Sequence, residues 1–188
     1  MDDYAFYILS LISLYEATLE NAYLEKAKRF CHKTITNFYD EQNKGFYLYS
    51  KENEQLIFTP KETYDGAIPS GNSVMAYVLV KLFHLLKETN FIDIAEKQLT
   101  FLSAYAKKYP AGYCFYLLAL SIYLSPPENV VAVVKDPLDL KKIKDEISLD
   151  TILTVLNEPA DGYQLLNNKT TFYVCKNQHC LPPSNEIL

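Results

Sequence analysis

Positive charge is in short supply: 18 Lys and Arg face 23 Asp and Glu, for a formal net charge of −5. That balance leaves no basic field of the kind that phosphate backbones require, so neither nucleic acid nor an anionic membrane is an expected partner. Long uncharged apolar runs are missing too, and no stretch approaches the roughly 18 to 20 residues that span a bilayer. The apolar run from Ala5 to Leu14 follows Asp2 and Asp3 instead of a basic segment, and Glu16 and Glu20 come soon after, so it does not read as a signal peptide. Cysteine is sparse. With no export signal, Cys31, Cys114, Cys175 and Cys180 are expected to be reduced thiols in a cytoplasmic protein. No P-loop, GxSxG, HExxH or dinucleotide fingerprint occurs, and no metal or cofactor is expected.

Tryptophan is absent, yet aromatics reach 14%, carried by 16 Tyr and 10 Phe, and hydrophobic residues reach 49%. Such a chain is not disordered, and at 188 residues it can bury one substantial core, or one core and a small appendage, without disulfide staples. The tyrosines fit ordinary packing with the hydroxyl reaching water, or aromatic-lined surfaces.

Helical spacing dominates the first two thirds. Phe6, Leu9, Ile12 and Leu14 mark a helix from Asp3 to Leu19, with Asp2 or Asp3 able to cap it. Leu24, Ala27, Cys31, Ile35 and Phe38 mark a second, and the pair reads as an antiparallel hairpin. The period then changes. Gly45 to Tyr49 and Leu56 to Phe58 are predicted as two short strands around a polar turn, a β-hairpin near residues 45–59. A third helix opens at Pro69-Ser70-Gly71-Asn72-Ser73 and runs to about Glu88, and a fourth runs from about Phe91 to Lys108. A fifth, from Ala111 to Leu124, carries no charge at all, which predicts burial on every side. One flanking layer cannot supply that, so apolar flanks would face water unless further helices or a second copy of the chain cover them.

Pro126-Pro127 ends the helical array, giving an expected boundary between residues 1–125 and a small α/β segment at 126–188. Val130–Val134, a helix at Pro137–Ile147 and Thr151–Leu156 predict a parallel βαβ unit, with Thr170–Cys175 as a third strand.

Three segments could carry chemistry. Lys61 to Ser73 gathers two glycines, an acid, an amide and hydroxyls at the lead-in to a buried helix, where free backbone N–H groups face any occupant of the cavity. The plainer reading is that Ser70 caps the helix while Gly66 and Gly71 permit tight turning. Asp2-Asp3-Tyr4 begins the first helix; if the first and third helices start at one rim, Asp3 and Asp65 become a candidate carboxylate pair for acid/base work, or else two capping acids. Cys175 and Cys180, with His179 between them, lack the four ligands of a structural zinc site and the spacing of a C-x-x-C redox motif, which leaves reduced cysteines at a strand end or a reversible disulfide.

The segments Asp2-Asp3-Tyr4-Ala5, Gly45-Phe46-Tyr47, Lys61 to Ser73, and Tyr173 through Cys175 and Cys180 to Pro182 occur in an order that resembles the YyaL-like, spermatogenesis-associated-protein-20-like family, over essentially the whole chain. The resemblance implies the last helices of an α/α toroid of the six-hairpin glycosidase class, similar to N-acylglucosamine 2-epimerases, followed by a carboxy-terminal α/β segment. It implies a mainly α fold without the family's thioredoxin-like domain or the first part of the toroid, and hence a chain inactive on its own. Two functions follow as expectations. In one, Asp3 and Asp65 act as acid and base while Tyr4, Tyr64, Gly66, Asn72 and Ser73 bind a sugar-like ligand in the intact protein. In the other, the chain is a non-catalytic scaffold that docks a thioredoxin-like domain, with Cys175 and Cys180 as a redox-responsive pair.

Overall fold

A computed structural model of the chain describes residues 1–53, 58–148, 151–176 and 179–186. It divides into two compact units, Met1–Leu124 and Ser125–Leu188. The fold is mainly α with a small β part.

The first unit is built from helical hairpins. Helices α1 (Asp2–Thr18) and α2 (Asn21–Phe38) form one, α3 (Gly71–Leu86) and α4 (Thr89–Ala106) the next, and α5 (Cys114–Leu124) follows a single 3₁₀ turn at Pro110–Gly112. α1 packs on α3 and α3 on α5, so these three form one layer with α3 in the middle, while α2 and α4 pack on α1 and α3. Position in the layer explains the sequence of α3. Covered by α1, α4 and α5, it buries Val74, Met75, Val78, Leu79 and Leu82 together with Asn72 and Ser73. Its buried Lys81 is tolerated because Nζ meets Glu16 Oε1 of α1 at 2.7 Å. α1 ends in the left-handed residue Leu19 (φ 61°) and α3 in Lys87 (φ 58°), each donating its N–H to a carbonyl four residues back, so both hairpins turn without glycine.

One expectation fails here. Gly45 to Tyr49 do not form a strand, and Leu56 and Ile57, the start of the other arm, lie outside the described residues. The reason is competition for backbone groups: Phe46 donates its N–H to Asn72 Oδ1 (2.8 Å) and its carbonyl accepts from Asn72 Nδ2 (3.0 Å), while Leu48 N–H donates to Pro60 O (2.8 Å). Among the described residues of this segment an isolated bridge, Tyr39 to Phe46, remains. Within the first unit α5 leaves an apolar flank facing water. Its buried residues are Tyr116 and Ala119, whereas Leu117, Leu118 and Leu124 are 39%, 46% and 68% exposed. α3 and α4 cover one flank, and among the described residues of this unit no helix packs on the other.

The second unit contains β1 (Asn129–Val133), α6 (Asp139–Glu146), β2 (Ile152–Leu156), β3 (Thr171–Lys176) and β4 (His179–Cys180) in the sheet order β2-β1-β3-β4. β1 and β2 are parallel, joined through α6, and β3 lies antiparallel to β1 on its other side. Val130 to Val134, Ile143, Ile152, Val155, Phe172 and Val174 make its core.

Candidate functional site

The starts of α1, α3 and α5 converge on one rim. At the α1–α3 contact a Cβ added to Gly71 would lie 2.2 Å from Asp2 Oδ1 and 2.6 Å from Met1 Cε, so glycine lets the first side chains of α1 lie directly against the start of α3. At the α3–α5 contact the carboxylate of Asp65 is the joint. Oδ1 accepts Ser70 N–H at 2.9 Å, and Oδ2 accepts Phe115 N–H at 2.9 Å and Tyr116 N–H at 3.3 Å. Asp65 therefore fills the positive N-terminal end of α5, which an anionic ligand would otherwise find open.

Ser70 and Asn72 are similarly engaged. Ser70 Oγ accepts Ser73 N–H at 3.2 Å and bonds Ser73 Oγ at 3.0 Å, which makes Ser70 the N-cap of α3. Asn72 is fully buried and uses its whole amide. Besides the two bonds to Phe46, Nδ2 donates to Glu62 O at 2.7 Å and Oδ1 accepts Gln98 Nε2 at 2.9 Å. It ties the 46 and 62 segments and α4 to the first turn of α3. Gly66 turns the loop, donating its N–H to Ile68 O at 3.1 Å. Asp3 is exposed in the first turn of α1. The Tyr4 ring packs on Phe30 and Phe38 of α2, with centroids 6.1 and 5.4 Å away, and so belongs to the first hairpin.

Tyr64 faces outward, 57% exposed, as does Ile68 at 69%, and the tyrosine has a companion the sequence did not single out. Tyr109 is 56% exposed, its ring parallel to that of Tyr64 within 7° at a centroid distance of 6.5 Å. Gly112 occupies the gap: a Cβ there would meet Tyr64 at 2.4 Å and Tyr109 at 2.8 Å. Tyr113 stands edge-on to Tyr64 at 6.2 Å. The outer faces of this tyrosine pair are the aromatic surface of the rim.

Sequence reading also missed a polar cluster that closes the segment between α2 and α3. Buried Asp40 accepts Lys61 Nζ at 2.7 Å, Gln42 N–H at 3.0 Å, Asn43 N–H at 3.1 Å and the Tyr47 hydroxyl. Burial opposes its ionisation, but Lys61, Tyr47 and Asn43 outweigh it and hold the carboxyl well below the usual carboxylate range. The bond to Asp40, with some burial, pushes the Tyr47 phenol up to about 12. Lys61 lay within the flagged stretch, but Asp40, twenty-one residues earlier in the chain, carried no local signal. Among the described residues no group of three or more His, Cys, Asp or Glu is placed to hold a metal ion, and no helix is long and apolar enough to cross a membrane.

Cys175 and Cys180 are joined as a disulfide across β3 and β4, which corrects the expectation of reduced thiols there. The two cysteines are direct cross-strand partners, and that register, not their spacing in the chain, brings the sulfurs together. Cys31 and Cys114 are free thiols; burial raises the Cys31 pKa far above its usual value.

No family model matches the chain. The chain is homologous to spermatogenesis-associated protein 20: the Homo sapiens protein is 29% identical over 97% of the chain, the Rattus norvegicus protein 27% and the Mus musculus protein 26% over the same share. The chain spans 25%, about a quarter, of the length of each of these curated relatives.

Proposed function

We propose that the chain is a non-catalytic interaction module, one arc of an α/α toroid, whose α5 flank docks a helix of a further α/α hairpin. The observation that carries this reading is the apolar stripe of Cys114, Leu117, Leu118, Ser121 and Leu124 exposed along α5. α1 and α3 each have a hairpin mate in α2 and α4, whereas α5 has none among the described residues of its own unit. A stripe at intervals of three and four residues matches the face that another helix covers. The length of the relatives, about four times the span matched, leaves ample chain to provide such a helix. Asp65 supports the non-catalytic part, since all its described bonds cap backbone N–H groups. Light scattering across a concentration series tests the reading. Isolated chain is expected to self-associate through α5, and Leu118→Glu with Leu124→Glu to return it to a monomer of unchanged helicity. Wild-type chain that stays monomeric throughout would overturn it.

A second reading has its own support in the rim tyrosines. Parallel, exposed Tyr64 and Tyr109 beside three converging helix starts form a surface suited to stacking on a carbohydrate-like ring in the intact protein. Titration of mono- and oligosaccharides, followed by ring resonances of Tyr64 and Tyr109, is expected to give saturable shifts that Tyr64→Ala abolishes. Shifts that persist in Tyr64→Ala, or none at all, would remove it.

A further inference from the structure

A short tail covers the outer edge of β3. His179 and Cys180 pair with Lys176 and Cys175, and Leu181 N–H donates to Val174 O at 2.9 Å. Phe172 and Ser184 then exchange two backbone bonds of 2.7 and 3.1 Å. Pro182 and Pro183 lie in between and have no N–H to give. Asn185 ends the tail with Nδ2 on Thr170 O at 2.8 Å and Leu166 O at 3.1 Å. The disulfide crosslinks the tail to β3. Asn185 and Glu186 of the same tail help wall a cavity of about 610 Å³, formed with Lys135, Asp139, Thr170 and Phe172. The cavity opens beyond the carboxyl end of β1, where sheets with parallel βαβ units commonly take ligands.

We propose that the Cys175–Cys180 disulfide is a redox clip: exchange with a dithiol frees the tail at 179–186 from β3 and removes one wall of this cavity. Access decides the chemistry. Cys180 is exposed and Cys175 half-buried, so an incoming thiolate attacks Cys180 Sγ. A new S–S bond forms to Cys180, the old one breaks, and its electron pair leaves on Cys175 Sγ, which takes a proton from water. The second thiol of the reductant then attacks the mixed disulfide, releasing Cys180 as a thiol and leaving the reductant as its own cyclic disulfide. Two electrons have passed from dithiol to protein. The reduced tail keeps a few hydrogen bonds at an exposed edge, interrupted by two prolines, and such edges open easily.

The test uses the full chain with dithiothreitol as the dithiol and glutathione as a monothiol probe. Air-oxidised protein is expected to resist alkylation at Cys175 and Cys180, and glutathione to form its mixed disulfide on Cys180. On reduction, amide exchange at Phe172 and Ser184 is expected to rise about tenfold or more, while Ala132 in β1 changes by less than about twofold. Cys175→Ser with Cys180→Ser should exchange like reduced wild type without any reductant. Absence of the 175–180 crosslink in oxidised protein, or equal exchange at Phe172 and Ser184 in both states, would overturn the proposal.

Discussion

Asp65 Oδ2 accepts the backbone N–H of Phe115 at 2.9 Å, so the residue that leads into α3 also caps α5. Fifty positions separate the two, and the bond makes the rim a single unit. Asp65→Ala is expected to destabilise the chain by about 1–2 kcal/mol, since buried helix-end donors lose their acceptor. Urea unfolding measures it. A change smaller than about 0.5 kcal/mol would place Asp65 outside the framework of the fold.

Asn72 should matter more. Asn72→Leu is close in size but leaves Phe46, Glu62 and Gln98 with buried polar groups unmet. A loss of about 3 kcal/mol or more is expected by chemical denaturation. A loss under about 1 kcal/mol would mean that these groups find other partners.

The Asp40 cluster sets an acid limit. Its carboxyl titrates lower in the folded chain than in the unfolded one, where the value is about 3.9. Its stabilisation is therefore complete above about pH 4 and is lost as the pH falls through the folded value. Melting temperature is expected to drop steeply below pH 4 in wild type and less steeply in Asp40→Asn. Parallel profiles would contradict the assignment.

His84 acts over a different range. Burial, reinforced by Lys87 and Lys81, lowers its pKa from 6.5 to about 4, so the unfolded chain binds a proton that the folded chain refuses. Stability should fall as the pH drops from about 6.5 to about 4, and His84→Gln should flatten that part of the profile. Identical slopes would show that another group titrates there.

Gly112 controls the tyrosine pair. Gly112→Ala places a methyl group within 2.4 Å of Tyr64 and 2.8 Å of Tyr109. One or both rings must shift, and the nuclear Overhauser contacts between the Tyr64 and Tyr109 rings are expected to vanish while α3 stays intact. Unchanged contacts would mean that the stacked arrangement is wrong.

Local periodicity explains what was legible beforehand. The helices α1 to α4 and the β1–α6–β2 unit each follow from side-chain spacing within their own segments. The segment at 45–49 looked like a strand because it is rich in aromatic residues of high β propensity, but an Asn72 side chain twenty-six positions away takes the backbone of Phe46. Asp65 was readable as a polar residue at a helix lead-in, though its partner on α5 was not, since capping across elements leaves no local trace. The uncharged sequence of α5 states a demand for burial without saying who meets it. Cys175 and Cys180 depend on strand register, which their spacing does not fix.

The exposed α5 stripe is best tested by fluorescence of a hydrophobic naphthalene-sulfonate dye on dilute, folded chain. Wild type is expected to bind the dye with strong enhancement, and Leu117→Ser with Leu118→Glu and Leu124→Glu to abolish most of it at unchanged helicity. Equal, weak dye binding by both proteins would mean that α5 is already covered and has no partner left to recruit.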